Sequence, residues 1–111
     1  MGDTLGSAIG ELWPLWRPQE LERIAVLERT VEKLDSLTEA ERRTAQDEAH
    51  RLAGTLAMLG DNEAANGARE VERRFLVGPE RGDDASLVAL VRSLRAALDR
   101  ADDAPPLGSA P

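Results

Sequence analysis

The chain has no cysteine, so disulfides and thiol chemistry are excluded at the outset. Aromatic residues make up only 3% of its 111 residues. Any core must therefore be aliphatic and rich in alanine, which suits close-packed helices better than a β-sandwich. No apolar run approaches the ~18 residues that a membrane span requires, and the N-terminus lacks a basic segment followed by an apolar one. Neither a membrane span nor a secretory signal is expected, and the cytoplasm is the expected compartment. No stretch sustains the period-2 alternation of a strand. Positive charge is in deficit, with 14 basic against 21 acidic residues and a formal net charge of −7. The basic residues are interleaved with acids, an arrangement that nucleic acid would repel. A single histidine, His50, and a single lysine, Lys33, complete the list of scarcities.

What is present is apolar residues at helical spacing. Leu5, Ile9 and Leu12 fit a short amphipathic helix within residues 1–17, and Trp13-Pro14 is expected to interrupt it, because a proline disfavours helical geometry in the residue before it. The tryptophans, Trp13 and Trp16, are expected to cap one end of the structure rather than to form a docking surface. Pro18 suits the first turn of a helix, where Glu20 and Glu22 would complement the positive end of the dipole. Leu21, Ile24, Leu27, Val31 and Leu34 trace its apolar face, and it should end near Asp35-Ser36-Leu37.

Thr38 and Glu41 form a capping box that opens a second helix with the stripe Ala45, Ala49, Leu52, Leu56 and Leu59. Gly60 should end it in the left-handed conformation, and Asp61 should cap a third helix at once, which forces an antiparallel hairpin. The third helix, about 62–77, carries Ala65, Ala68, Val71 and Phe75 inward, with Gly67 as a weak point. Gly78-Pro79 stops it, residues 79–84 form a polar loop, and Asp83 or Asp84 caps a last helix with Leu87, Leu90, Val91, Leu94 and Leu98. From Asp102 onward, with Pro105-Pro106 and Gly108, periodicity is lost and residues 102–111 read as a disordered tail. The expectation is an all-α, antiparallel up-down four-helix bundle over residues 18–101, preceded by the short N-terminal segment 1–17.

On a helical wheel, His50 falls ~140° from the centre of its helix's apolar stripe, so its imidazole should reach solvent. Ala53, Gly54 and Ala57 are placed in the same outer sector, and their small size leaves a clearing around the ring. Gly54 costs ~1 kcal/mol against alanine in mid-helix. Close approach by another macromolecule would explain that cost. Arg43, two turns before His50, shares the sector and is the nearest candidate cation on that helix. Arg69, Arg73 or Arg74 of the neighbouring helix are further candidates to reach across. Imidazole is nucleophilic in its neutral form, which a free histidine side chain populates heavily near neutral pH.

The stretch Glu48–Gly60, with His50, Leu52, Gly54, Leu59 and Gly60, resembles the signature of histidine phosphotransfer (HPt) domains. It departs from that signature at Ala53, where the family usually has lysine. The resemblance implies a histidine that carries a phosphoryl group to and from the aspartate of a response-regulator receiver domain. Receiver domains and hybrid histidine kinases would be the partners, with Mg²⁺ on the receiver and no cofactor, metal or autonomous kinase activity here. A monomer is expected. The main competing reading is an HPt-like adaptor that binds receivers without phosphotransfer. A carboxylate-bridged metal bundle would need Glu-x-x-His motifs on two helices, which one histidine cannot supply. A small RNA-binding bundle built on Arg42-Arg43 and the arginines of the third helix is opposed by the acidic balance. A covalent hydrolase lacks any pocket or oxyanion site.

Overall fold

Four amphipathic stretches form four helices in a computed structural model, which describes residues 2–78 and 84–103, with side chains for 12–78 and 84–102. They are α1 (Gly2–Val31), α2 (Glu39–Met58), α3 (Asn62–Val77) and α4 (Asp84–Asp103), with a single 3-10 turn, Leu34–Ser36, between α1 and α2. Side-chain pairs fix the antiparallel order of neighbours around the bundle. Lys33 meets Glu41 and Arg23 meets Glu48 between α1 and α2. Arg74 donates to the Ser86 hydroxyl at 2.7 Å between α3 and α4. Arg95 grips both oxygens of Glu28 at 3.0 and 2.6 Å between α4 and α1.

The core follows the expected stripes. Ile24 and Leu27, then Ala45, Ala49, Leu52 and Leu56, then Ala65, Ala68, Val71 and Phe75, and finally Leu87, Val91, Leu94 and Leu98 are all buried. Small alanines on α2 and α3 let those two helices approach closely, and Phe75 is the largest fully buried side chain among the described residues.

The N-terminal third departs from expectation. Trp13-Pro14 does not interrupt the chain, and Pro18 does not begin a helix, because α1 runs through both prolines. Pro14 and Pro18 are exposed, so the missing N–H donors fall on the solvent face, where water can serve the freed carbonyls. On the opposite face Trp13 is buried and Trp16 packs half-buried against the core. Burying a tryptophan removes on the order of 150–250 Å² from water, worth about 4–6 kcal/mol, so Trp13 with the partly buried Trp16 offsets the ~3 kcal/mol that each of the two interior prolines costs. As expected, these aromatics cap one end of the bundle.

The continuous helix changes the role of Glu20. It sits in mid-helix rather than at an N-terminus, and it is buried facing α2. Helix α1 also stops at Val31, earlier than expected, and Leu34 reaches the core from the 3-10 turn instead. At the other end, Asp102 is helical, not part of a tail. Its Oδ1 accepts from Trp13 Nε1 at 2.9 Å and Arg17 Nε at 2.7 Å, and the guanidinium beside it holds its carboxyl below the ordinary value. The expected loop at 79–83, with Asp83 as a cap, and residues 104–111 lie outside the described residues.

The α2–α3 hairpin is built as its sequence requires. Thr38 and Glu41 form the reciprocal capping box at the start of α2. Gly60, at φ 85°, adopts the left-handed conformation after the helix. Its N–H donates to Ala57 O and that of Asp61 to Leu56 O, both at 3.0 Å, closing the pair of bonds typical of a glycine-terminated helix. Asp61 then accepts from Ala64 N at 3.1 Å to cap α3.

Candidate functional site

The three-residue turn 59–61 sets which residues of α2 and α3 stand level. His50 lies ten positions before Gly60 and Glu72 twelve after it, so an antiparallel hairpin brings them side by side. The His50 Nδ1 is 2.9 Å from Glu72 Oε2. A carboxylate only accepts, so Nδ1 carries the proton, and in the neutral ring the lone pair is on Nε2. The His50 side chain is 72% exposed and that of Glu72 is 26% exposed, so α3 holds one edge of the ring while the other meets solvent.

The surroundings of His50 are partly as expected. Gly54 is exposed, and a Cβ built there would meet nothing within 4 Å. No packing inside the domain therefore requires glycine at this position. Ala57 is half-buried against the core. Ala53, expected in the open sector, is instead buried at 3% exposure. It lies ~80° from the centre of the apolar stripe, on the flank toward α3. A helix packed between two neighbours buries a wider arc than its own apolar stripe, and Ala53 falls within that arc. The clearing thus has Gly54 at its surface and Ala53 in its floor.

Arg43 is exposed on the same outer face as His50, but its Nε pairs with Glu39 at 3.4 Å, about 10 Å along the axis from the histidine's level. Arg42 serves the fold: its guanidinium donates to Glu39 and to the carbonyls of Phe75 and Leu76, which the end of α3 leaves without helical donors. That hydrogen bond from Arg42 holds Glu39 down to about 2. On α3, Arg73 and Arg74 engage Glu70, which they hold at about 2, with Arg73 the larger cause. Arg69 donates to Asn66 Oδ1 at 2.9 Å.

Glu72 is the His50 partner that sequence reasoning missed. Its level across the hairpin is the signal that could have found it, since ten residues before Gly60 and twelve after it stand side by side on antiparallel helices. Among the described residues no cluster of three His, Cys, Asp or Glu could hold a metal ion, and no helix is long and apolar enough to cross a membrane.

The family model for the Hpt domain matches residues 18–104. The chain belongs to the Hpt domain family. Protein RcaC of Microchaete diplosiphon is 36% identical over 75 residues, which is 66% of this chain and 11% of that protein. The Hpt domain described here thus spans about a tenth of the length of that relative. No solved structure matches the chain. Hpt domains are phosphoryl carriers of phosphorelays rather than enzymes, and they work with receiver domains and kinases. A phosphorelay role therefore follows from family membership.

Proposed function

We propose that this Hpt domain carries a phosphoryl group on His50, taking it from the aspartyl phosphate of a receiver domain and returning it to another. The single observation that supports this most is the His50–Glu72 contact, which leaves Nε2 as the nucleophilic edge facing solvent. In the step, the Nε2 lone pair attacks phosphorus, the P–O bond to the aspartate breaks, and the aspartate leaves as a carboxylate. The proton stays on Nδ1. The ring, bonded at both nitrogens, becomes cationic, and the Glu72 carboxylate stabilises it at 2.9 Å, as a buried acid steadies an imidazolium in hydrolytic triads. Return of the group reverses each of these changes.

Phosphoryl transfer asks chiefly for positioning and charge neutralisation. The Mg²⁺ and the accepting carboxylate would come from the receiver, and this domain would supply the histidine as a monomer in the cytoplasm. Gly54 and Ala57 would give the receiver access, and a hybrid kinase would be the alternative partner. One observation favours the second reading, an adaptor without transfer: Ala53 is uncharged and buried, so α2 places no cation one turn beyond His50.

Purified protein mixed with phosphorylated receiver domains and Mg²⁺, beside a His50→Ala control, separates the two. Acid-labile label on the wild type and not on the control is the expected outcome. Receiver binding without label would make the domain an adaptor.

A further inference from the structure

Phosphorylation of His50 would gather negative charge on one spot. The incoming group brings up to two charges, Glu72 faces the same ring, and Asp47 lies one turn before it on α2. Glu72 is matched by the positive ring, so the phosphoryl charges and Asp47 repel one another unless a second cation intervenes. Arg43 is engaged by Glu39, and Arg51 falls on the α1 side of the outer face of α2.

Arg69 meets the requirement from the other helix. It precedes Glu72 by three residues, so both lie on the α2-facing flank of α3. Arg69 is about 4.5 Å nearer the turn, and in an antiparallel hairpin that shift runs from the level of His50 toward that of Ala53 and Gly54. His50 stands ~140° from the core direction of α2, and Arg69 stands ~105° from that of α3 on the facing side. The two side chains therefore form opposite rims of one groove, floored by Ala53 and Glu72. Nothing bulky fills the space between, since Ala53 ends at its Cβ and Gly54 has none. The partner of Arg69 is the neutral Oδ1 of Asn66, at 2.9 Å, which leaves the guanidinium charge and most of its five N–H donors for an anion.

We propose that Arg69 binds the phosphoryl group on His50, supplying from α3 the positive charge that α2 lacks beside its histidine. The assignment rests on the carrier reading above. It makes Arg69 a residue that touches the reacting group, and Asn66 the residue that parks it when His50 is bare.

The test uses phosphoramidate as donor, so no partner protein enters. Nε2 attacks phosphorus, the P–N bond breaks, and ammonia leaves with a proton from solvent. Uptake is followed by ³¹P NMR for the wild type, Arg69→Gln, Arg69→Lys and His50→Ala. Arg69 is exposed, and unchanged circular dichroism is the check on folding. Arg69→Gln should take up phosphate about tenfold more slowly, the loss of one charge-assisted contact. It should also raise the pH midpoint of the phosphoryl second ionisation by about half a unit, because a cation favours the charged form. Arg69→Lys should recover most of both. Labelled His50 with the same rate and midpoint in Arg69→Gln would overturn the role of Arg69 and leave the carrier reading intact. A wild type that gains no phosphohistidine, from this donor or from receivers, would overturn both.

Discussion

Helix α2 carries a glutamate–partner contact on each flank, and the two are put to different uses. On the α1 flank, Glu20 is 4% exposed, and its Oε1 accepts from Thr55 Oγ1 at 2.9 Å and Arg23 Nε at 3.2 Å. Arg23 extends the network to Glu48 at 3.3 Å. On the α3 flank, Glu72 holds His50 Nδ1 at the same 2.9 Å, but the other ring nitrogen is left toward solvent among small residues. The Glu72 contact leaves a reactive nitrogen in solvent, whereas the Glu20 contact is buried down to its second oxygen, Oε2, which takes no hydrogen bond.

Substitutions on the two flanks should therefore separate stability from transfer. The largest effect is expected from Glu20→Ala, which strands Thr55 and leaves a void between α1 and α2. Urea unfolding should show a loss of about 2–3 kcal/mol, while phosphoryl uptake by the folded protein stays unchanged. Glu72→Ala should do the reverse. Uptake should slow about tenfold, equivalent to ~1.4 kcal/mol in the barrier, with stability within ~0.5 kcal/mol of wild type. Equal losses of stability in the two variants would collapse the distinction between the flanks. Gly54→Ala should stabilise α2 by up to ~1 kcal/mol, since a methyl group meets nothing within 4 Å. Transfer from a receiver should slow while uptake from phosphoramidate does not, and equal rates from both donors would remove the case for Gly54 as an access point.

The smallest effect is expected from acid. Glu39, Glu41 and Glu70 are held at about 2, by Arg42, by Lys33 with Thr38, and by Arg73 with Arg74. A depressed carboxyl contributes its stability above the unfolded value and loses it as pH falls toward the folded one. The loss should thus fall between about pH 4.5 and 2. These pairs are exposed, so the drop in Tm across that window should be slight and should shrink in 1 M salt or in Glu70→Gln.

Much of this arrangement was legible in the sequence because it is local. The Thr38–Glu41 box, the left-handed Gly60 and the Asp61 cap depend on neighbours within a few positions, and the inward stripes on a 3.6-residue period. The exposure of His50 and Gly54 followed from the same wheel. What escaped was decided between helices. Ala53 is covered by α3, a packing neighbour no wheel of α2 contains. Glu20 and Asp102 changed roles because α1 runs on through two prolines with Trp13 and Trp16 packed on its inner face. Glu72 and Arg42 reach across the hairpin, and only its register reveals their partners.

That register has a kinetic corollary. The turn at 59–61 is the shortest of the described connections, so closing it forfeits the least chain entropy, and α2–α3 is the pairing that physics favours to form first. His50, Glu72 and Arg69 all belong to that one hairpin. The groove can assemble before α1 and α4 dock, and its residues can vary without disturbing the contacts that close the bundle.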